Sequence, residues 1–331
     1  MQGGSAPAVR VLVTGASGYL GQFLLDAIQA HNAGNQDPSI VCAGTFGSRA
    51  GGIPANMTGI QMDMTSASSI HKGVEDFRPD VVVNLAAMSA PAACEKQQEE
   101  AEAINVPTAL LDALLQVKSD ALFVQVSTDQ IFDGQHPVYD EESDALPVNQ
   151  YGKTKLRFEQ VLRDRWPNHV ILRSSLIYGP NPPRECVRTG SFLQFLDESL
   201  AKATAEQPVS LFGDEVRCPI YVNDVVAILL VFILHAKECM SAPLTRTLSM
   251  GGPERLSRVA MGEIVSSIRG YSSDRIKSVR RAELQLGFTS PLDISMRSDK
   301  LTSLPWVKEI LPQGTTFFRE AAKKELLESR T

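Results

Sequence analysis

The residues best suited to chemistry are a tyrosine and a lysine four positions apart, Tyr151 and Lys155. In a helix, residues four apart lie on the same face, so a phenol and an ammonium group would reach one bound molecule together. Reduction of a carbonyl group by hydride leaves an alkoxide that needs a proton. A phenol with an unperturbed pKa of about 10 donates that proton poorly unless a neighbouring group tunes it. The pair therefore indicates acid–base chemistry assisted by a lysine cation.

A glycine-rich turn follows the first apolar segment. Gly15, Gly18 and Gly21 recur every third residue, between an apolar run at residues 11–13 and a helical pattern that begins at Leu20. A dinucleotide pyrophosphate binds where helix N-terminal N–H groups can reach it, and glycines keep that approach open. The position of the turn, between a strand and a helix, predicts a dinucleotide-binding site; a merely structural tight turn is the alternative.

The end of the second predicted strand decides which nicotinamide cofactor the turn accepts. An acidic side chain there would hold the ribose 2′-hydroxyl of NAD, but residues 43–49 contain none. Ser48 and Arg49 instead supply a hydroxyl and a guanidinium group, which suit a 2′-phosphate because arginine binds phosphate as a fork. We therefore predict NADP(H) as the cofactor; the alternative is that Arg49 is a solvated loop residue.

Short β-branched runs alternate with longer helical patterns from residue 10 onward. This alternation is typical of a parallel sheet with helices on both faces. It predicts an α/β protein with a doubly wound parallel sheet of the Rossmann type and a smaller C-terminal substrate-binding region. The predicted strands are residues 11–13, 39–43, 81–84, 122–126 and 170–172, and the predicted helices are residues 20–30, 66–76, 101–117 and 151–165.

A proline cluster at residues 179–183 interrupts the alternation. Prolines at this density cannot continue a helix or a central strand, so we place the domain change there. Strand and helix character returns once, after residue 217. The predicted NADP(H)-binding Rossmann domain is residues 9–178, with 218–250 returning to it, and the predicted substrate-binding region is residues 179–217 and 251–331.

Composition and charge exclude several classes of protein. The chain has 331 residues, a net charge of −6 and no dense Lys/Arg run, so it has no electrostatic footprint for nucleic acid or an anionic membrane. The longest apolar run, residues 225–234, falls short of the roughly 20 residues that span a bilayer and predicts a buried helix. The five scattered cysteines form no Cys-x-x-Cys pair, and we expect neither disulfides nor a metal site. We predict a cytoplasmic location.

The Gly-x-x-Gly-x-x-Gly spacing resembles the extended short-chain dehydrogenase/reductase superfamily. Further matches follow in order over residues 10–180, among them an asparagine-containing turn at 84–87 and a Ser-Thr pair at 127–128. The resemblance implies that Tyr151 is the general acid/base, that Lys155 lowers its pKa and binds the nicotinamide ribose, and that Thr128 or Ser127 hydrogen-bonds the substrate oxygen. The predicted cofactor-binding residues are Gly15, Ser17, Gly18, Tyr19, Leu20, Gly21, Ser48, Arg49, Asp63, Met64, Leu85, Ala86, Ala87, Asn105, Ser127, Tyr151 and Lys155.

Within that superfamily, residues 127–134 and 147–156 resemble two families. One is dTDP-4-dehydrorhamnose reductase, the RmlD-like group, which reduces a nucleotide-linked 4-ketosugar with NADPH. The other is the regulatory beta subunit of methionine adenosyltransferase, which shares that fold, binds NADP and is known for binding an enzyme. The whole chain is also similar to plant and algal members of this group.

Two departures from the reductase pattern concern the substrate. Gln130 replaces a tyrosine of that pattern and Leu176 replaces a tryptophan near the sugar. Loss of an aromatic platform argues against a hexose stacked in the same pose, so a different ketone, or none, stays open. The predicted substrate-side residues are Met88, Asp129, Gln130, Leu176 and Arg217, with Arg184 and Arg188 as further candidates to meet a diphosphate.

The sequence thus predicts an NADPH-dependent oxidoreductase acting on a nucleotide-linked 4-ketosugar or a similar ketone. The alternative is a non-catalytic NADP-binding regulatory subunit that docks a methionine adenosyltransferase catalytic subunit. The intact set of Tyr151, Lys155 and Thr128 favours the enzyme, whereas Gln130 and Leu176 favour the alternative. A small-molecule substrate is the expected partner, and a homodimer stays open.

Overall fold

The computed structural model describes residues 8–34, 39–185, 191–241, 246–284 and 287–328. The strands are β1 (Val9–Thr14), β2 (Ile40–Phe46), β3 (Thr58–Gln61), β4 (Val81–Asn84), β5 (Leu122–Thr128), β6 (His169–Ser174), β7 (Ile177–Tyr178), β8 (Val209–Phe212), β9 (Val216–Arg217), β10 (Ile220–Tyr221), β11 (Thr247–Met250), β12 (Leu256–Ser257) and β13 (Ile276–Val279). The helices are α1 (Tyr19–Ala33), α2 (Ala67–Phe77), α3 (Pro91–Lys96), α4 (Gln98–Asn105), α5 (Thr108–Val117), α6 (Gln150–Arg165), α7 (Phe192–Lys202), α8 (Val222–Leu234), α9 (Ala236–Ser241), α10 (Arg258–Arg269), α11 (Asp299–Thr302), α12 (Pro305–Ile310) and α13 (Phe318–Lys323).

Seven parallel strands form the central sheet in the order β11-β6-β5-β4-β1-β2-β3. The chain moves outward from β1 in one direction through β2 and β3, and in the other through β4, β5 and β6. The switch in direction next to β1 leaves a crevice at the carboxyl ends of β1 and β4, which is where such sheets bind ligands. The predicted doubly wound α/β fold is confirmed.

The predicted single helix over residues 101–117 is wrong, because the structure has two helices there. α4 ends at Asn105 and α5 begins at Thr108. Pro107 lies between them, and a proline has no N–H to donate and a ring that collides with the preceding turn. The break matters for the site because it leaves Asn105 at the end of a helix, with its side chain directed at a neighbouring loop.

Two strands of the central sheet, β3 and β11, are absent from the predicted strands. Both are only four residues long and lack a continuous apolar run, since β3 is Thr-Gly-Ile-Gln and β11 is Thr-Leu-Ser-Met. β3 pairs with β2, and β11 pairs with β6, from Thr247 beside Ile171 to Met250 beside Ser174. Such long-range pairing leaves no local signal in so short a segment.

The apolar run at residues 225–234 forms most of α8, which packs against α1. Val225, Ile228, Leu229 and Phe232 are fully buried in a cluster that also contains side chains of β1, α1 and α13. Among the described helices, none combines the length and the apolar character that a bilayer crossing needs. The predicted division of the chain at residue 178 stays a prediction.

Candidate active site

A cavity of about 700 Å³ lies at the carboxyl ends of the central strands. The glycine turn after β1 forms one side of it, and α6 and the beginning of α10 contribute to the other. The structure therefore brings together most of the residues that the sequence singled out. Those that line the cavity are Gly15, Gly18, Tyr19, Leu20, Gly21, Leu85, Ala87, Met88, Ser127, Thr128, Asp129, Gln130, Tyr151, Lys155, Leu176 and Arg217.

Several predicted cofactor residues lie outside the cavity lining. Ser48 and Arg49 are exposed in the loop after β2. Asp63 is exposed after β3, where its Oδ1 accepts a hydrogen bond of 2.8 Å from the N–H of Thr65. The remaining predicted cofactor residues that do not line the cavity are Ser17, Met64, Ala86 and Asn105.

Of the two further arginine candidates, Arg184 does not line the cavity. Arg184 binds α1 instead, with its Nη2 2.7 Å from Asp26 Oδ1 and its Nε donating to the carbonyl oxygen of Gly52. Arg188 lies outside the described residues. The position of Arg184 gives no structural support to a contact with a diphosphate.

The three glycines of the turn meet different constraints. Gly15 has φ +63°, and a Cβ there would lie 2.7 Å from the backbone of Ala86. A Cβ on Gly21 would lie 2.5 Å from the Cα of Ala16, whereas one on Gly18 would meet only the carbonyl oxygen of Gly15, at 3.0 Å. The fold therefore requires glycine at positions 15 and 21. At position 18 glycine is needed mainly to keep the approach from the cavity open.

The beginning of α1 offers N–H donors to a ligand. Gly18 is the N-cap residue, and no side chain among the described residues caps the helix. The first N–H groups of a helix lack partners within the helix, and they attract anions together with the helix dipole. The residues present thus fit the pyrophosphate of a dinucleotide.

Asn105 acts from behind the cavity. Its Oδ1 accepts a hydrogen bond of 2.8 Å from the N–H of Met88, and its Nδ2 donates to the carbonyl oxygen of Met88 and to Oγ1 of Thr154 on α6. The buried amide thereby holds the loop after β4 against α6. Asn105 positions the lining residue Met88 and does not line the cavity itself.

The first turns of α6 place the predicted acid–base pair. Asn149 caps the helix, its Oδ1 accepting a hydrogen bond of 2.9 Å from the N–H of Gly152. Tyr151 and Lys155 follow one turn apart, and both line the cavity. Lys155 is only 3% exposed and its Nζ donates to the carbonyl oxygen of Val126 at 2.7 Å. Burial lowers the pKa of Lys155 to about 8, although the nearby Glu159 carboxylate opposes the shift.

Glu159 is a site-supporting residue that the sequence analysis missed. It lies one turn after Lys155 on α6, fully buried, and accepts a hydrogen bond of 2.6 Å from Ser127 Oγ at the end of β5. Arg173 and Arg163 pair with the same carboxylate, at 3.0 and 2.7 Å. An acid four residues after the lysine was the available signal, but a Lys–Glu spacing of this kind is also common on exposed helix faces.

The residues after Ser127 form the floor of the cavity. The buried Asp129 carboxylate accepts a hydrogen bond of 2.9 Å from Ser175 Oγ. Burial raises the pKa of Asp129, and the charge of Arg217 is the largest effect that opposes it. Gln130 Oε1 accepts a hydrogen bond of 2.8 Å from Asn149 Nδ2, which fixes the orientation of the Gln130 amide.

Arg217 lines the cavity, but its guanidinium group is largely engaged by the protein. Nη1 donates to the carbonyl oxygens of Val216 and Leu292, both at 2.8 Å, and Nη2 donates to that of Pro291 at 3.0 Å. These bonds fasten the segment around Pro291 to β9. Its predicted role as a substrate contact stays a prediction.

Arg258 lines the cavity as well, and the sequence analysis assigned it no role. It is the first residue of α10, and its guanidinium carbon lies 4.6 Å from the centre of the Phe192 ring. Burial lowers the pKa of Arg258 to about 10. No local pattern marks it, because only the antiparallel pairing of β12 with β9 brings it to the cavity.

The arrangement can bind an extended dinucleotide and protonate an oxygen next to it. The N-terminus of α1 faces one part of the cavity, and a phenol beside a buried cation faces another. Within the described residues, no group of three or more His, Cys, Asp or Glu side chains could hold a metal ion.

Known relatives match most of the chain. The sequence is 27% identical over 301 residues to methionine adenosyltransferase 2 subunit beta of Pongo abelii, which covers 90% of this chain and 83% of that protein. It is 27% identical over 243 residues to dTDP-4-dehydrorhamnose reductase of Sinorhizobium fredii, covering 72% of this chain and 79% of that protein. Both resemblances found in the sequence are confirmed.

The fold matches a solved structure of dTDP-4-dehydrorhamnose reductase from Bacillus anthracis in complex with NADP. The TM-score is 0.75 and the identity 20%, over 97% of this chain and 100% of that chain. The sequence profile of the RmlD substrate binding domain matches residues 9–310. With the sheet, the glycine turn and the tyrosine–lysine pair in the places described above, the chain belongs to the RmlD substrate binding domain family.

Proposed function

We propose that the protein is an NADP(H)-dependent reductase of a nucleotide-linked 4-ketosugar or a similar ketone. One observation carries the proposal: Tyr151, Lys155 and Thr128 line the same cavity as the glycine turn. A proton donor and a dinucleotide site are the two parts that carbonyl reduction by hydride requires. The S. fredii relative, named as a dTDP-4-dehydrorhamnose reductase, supports the substrate class.

In this proposal the bound cofactor supplies the hydride, and the chain supplies binding and the proton. The N-terminus of α1 binds the pyrophosphate, and Ser48 and Arg49 bind the 2′-phosphate. Thr128 orients the keto oxygen, and Tyr151 donates a proton from its hydroxyl as the alkoxide forms. The Lys155 cation stabilises the phenolate that remains, which lowers the cost of the transfer.

The choice of NADP(H) rests on the end of β2 and on a relative. No acidic side chain lies between residues 43 and 49, so the protein lacks the usual partner of the NAD ribose 2′-hydroxyl. The B. anthracis reductase, whose fold this chain shares, was solved in complex with NADP. A cytoplasmic location and a homodimer stay predictions.

Substitution of the proton donor tests the proposal. With dTDP-4-dehydrorhamnose as the ketone, Tyr151→Phe should cut NADPH oxidation about 10²- to 10⁴-fold, as typical for lost acid–base catalysis, while NADPH binding stays nearly intact. Tyr271→Phe, outside the cavity, is the matched control and should keep the wild-type rate. A wild-type rate in Tyr151→Phe would show that another group donates the proton.

The second candidate function is a regulatory subunit that docks a methionine adenosyltransferase catalytic subunit. The match to a methionine adenosyltransferase beta subunit over 90% of the chain favours it, as do Gln130 and Leu176 in the cavity. Mixing the purified chain with such a catalytic subunit and measuring mass by light scattering separates the two candidates. A stable complex, together with NADPH binding and no ketone reduction, would favour the regulatory subunit.

A further inference from the structure

One buried carboxylate is shared by three arginines next to the cavity. Glu215 Oε2 lies 3.7 Å from Arg258 Nε and 3.9 Å from Arg217 Nη2. Its Oε1 lies 3.5 Å from Arg281 Nε. Each distance is too long for a strong charge-assisted hydrogen bond, so Glu215 balances this cluster only in part.

Asp129 is the second acidic group near Arg217 and Arg258. The charges of these two arginines oppose the rise that burial causes in the pKa of Asp129. Asp214 adds a carboxylate on the Arg281 side of the cluster, where both of its oxygens accept hydrogen bonds from the backbone N–H of Arg281. On the cavity side, Glu215 and Asp129 balance the charge of Arg258 only in part. A buried charge that is balanced only in part is costly, so this part of the cavity favours an anion.

The three guanidinium groups differ in how many of their N–H donors are already used within the protein. Arg217 is engaged by backbone carbonyls as described above, and Arg281 donates to those of Leu284 and Phe288 and does not line the cavity. Nη1 of Arg258 is buried and has no hydrogen-bond partner among the described residues. Of the described residues that line the cavity, Arg258 alone has a buried side-chain polar atom without a hydrogen-bond partner.

The position of Arg258 is unfavourable for its own helix. A cation at the first residue of α10 opposes the helix dipole, which is positive at that end. The stacking on Phe192 and the ion pair with Glu215 nevertheless hold the side chain, which is 17% exposed, in one place. A preorganised arginine kept against local preference is typical of a binding site.

We propose that Arg258, which lines the cavity, binds the diphosphate of the substrate through its guanidinium group. The inference rests on the proposed function, whose substrate class contains a diphosphate, and it assigns that group to one residue. Guanidinium groups match phosphate oxygens as a planar fork, and a diphosphate supplies the negative charge that the arginine cluster lacks. Arg217 then positions the segment around Pro291 and does not carry the diphosphate.

Titration calorimetry of the full chain, saturated with NADPH, tests the assignment. The probes are dTDP, UDP, inorganic pyrophosphate, malonate and the uncharged nucleoside thymidine. We expect dTDP or UDP to bind at least about tenfold more tightly than thymidine, since a charge-assisted hydrogen bond of 1.5–3 kcal/mol corresponds to roughly 10- to 100-fold in affinity. Arg258→Met should lose that advantage, and Arg258→Lys should keep part of it because lysine retains the charge without the fork.

Arg255→Met is the matched control. Arg255 lies three residues earlier, is exposed, and pairs with Asp293 away from the cavity lining. We expect it to bind dTDP and UDP like the wild type. Arg258→Lys is the more conservative of the two Arg258 variants. An unchanged NADPH affinity and melting temperature in this variant would show that its cavity is intact.

Wild-type affinity for the nucleoside diphosphates in both Arg258 variants would overturn the assignment. So would equal binding of thymidine and dTDP, binding of malonate alone among the anions, or no binding of any probe. A chain that binds dTDP or UDP through Arg258 but reduces no ketosugar would contradict the proposed function and support this site. The two failures are therefore distinguishable.

Discussion

Within the glycine turn, Gly18 is the position at which a substitution can impair cofactor binding without impairing folding. It has φ −77°, which any residue adopts, and a Cβ there meets only one carbonyl oxygen. We expect Gly18→Val to fold and lose NADPH binding, because the side chain occupies the approach to the first N–H groups of α1. Gly21→Val should also lose stability, since its Cβ overlaps the backbone of Ala16. NADPH titration and thermal melting check both, and wild-type affinity in folded Gly18→Val would make the turn merely structural.

Arg49 tests the choice between the two nicotinamide cofactors. The wild type should bind NADPH more tightly than NADH, and Arg49→Ala should weaken NADPH by about 10- to 100-fold while leaving NADH unchanged, as expected for one charge-assisted phosphate contact. Arg319→Ala, an exposed arginine on α13, is the control. Calorimetric titration of both cofactors measures the difference. Equal wild-type affinities for NADPH and NADH would refute the assignment.

Among the helices, α6 couples Lys155 to a buried carboxylate, Glu159, one turn later. The Glu159 charge raises the pKa of Lys155, whereas burial lowers it to about 8. Because the proposed mechanism needs the Lys155 cation, turnover should fall as pH rises through about 8. Glu159→Gln removes the charge that favours the protonated lysine, so the fall should move to lower pH.

The pH profile of kcat/KM, with the ketosugar as substrate, measures this shift. Glu102→Gln is the control because it removes a partly exposed ion pair with Arg157, also on α6, and should leave the profile unchanged. Glu159→Gln should also melt at a lower temperature, since Arg173 loses its buried partner. Superimposable profiles for wild type and Glu159→Gln would exclude the coupling.

Sequence patterns predicted the elements that are strongly periodic and missed those whose place depends on distant pairing. The continuous apolar runs of β1, β4 and β5 are unambiguous because both faces of these strands are buried. Lys155 was predicted from its spacing to a tyrosine after a strand. Glu159 and Arg258 were missed because a charged side chain on a helix is exposed by default, and only the pairing of distant segments buries these two.

For the whole molecule, the C-terminal helices contribute to the core that supports the sheet. Phe318 on α13 is fully buried in the cluster around α8, whereas its neighbour Phe317 is 49% exposed. Phe318→Ala should lower the free energy of unfolding by about 3–5 kcal/mol through loss of buried area and a cavity. Phe317→Ala should change it by less than about 0.5 kcal/mol. Denaturant melts check both, and equal effects would contradict the packing described.

The pairing of β11 with β6 has a consequence for the chain while it is being synthesised on the ribosome. β6 ends at Ser174, but the strand that covers its open edge ends at Met250, and α8 lies between them in sequence. At 5–20 residues per second, a ribosome needs roughly 4 to 15 s to synthesise that stretch. Throughout this interval β6 carries an unpaired strand edge, which favours aggregation. We therefore expect the emerging chain to be most prone to aggregation before β11 has been synthesised.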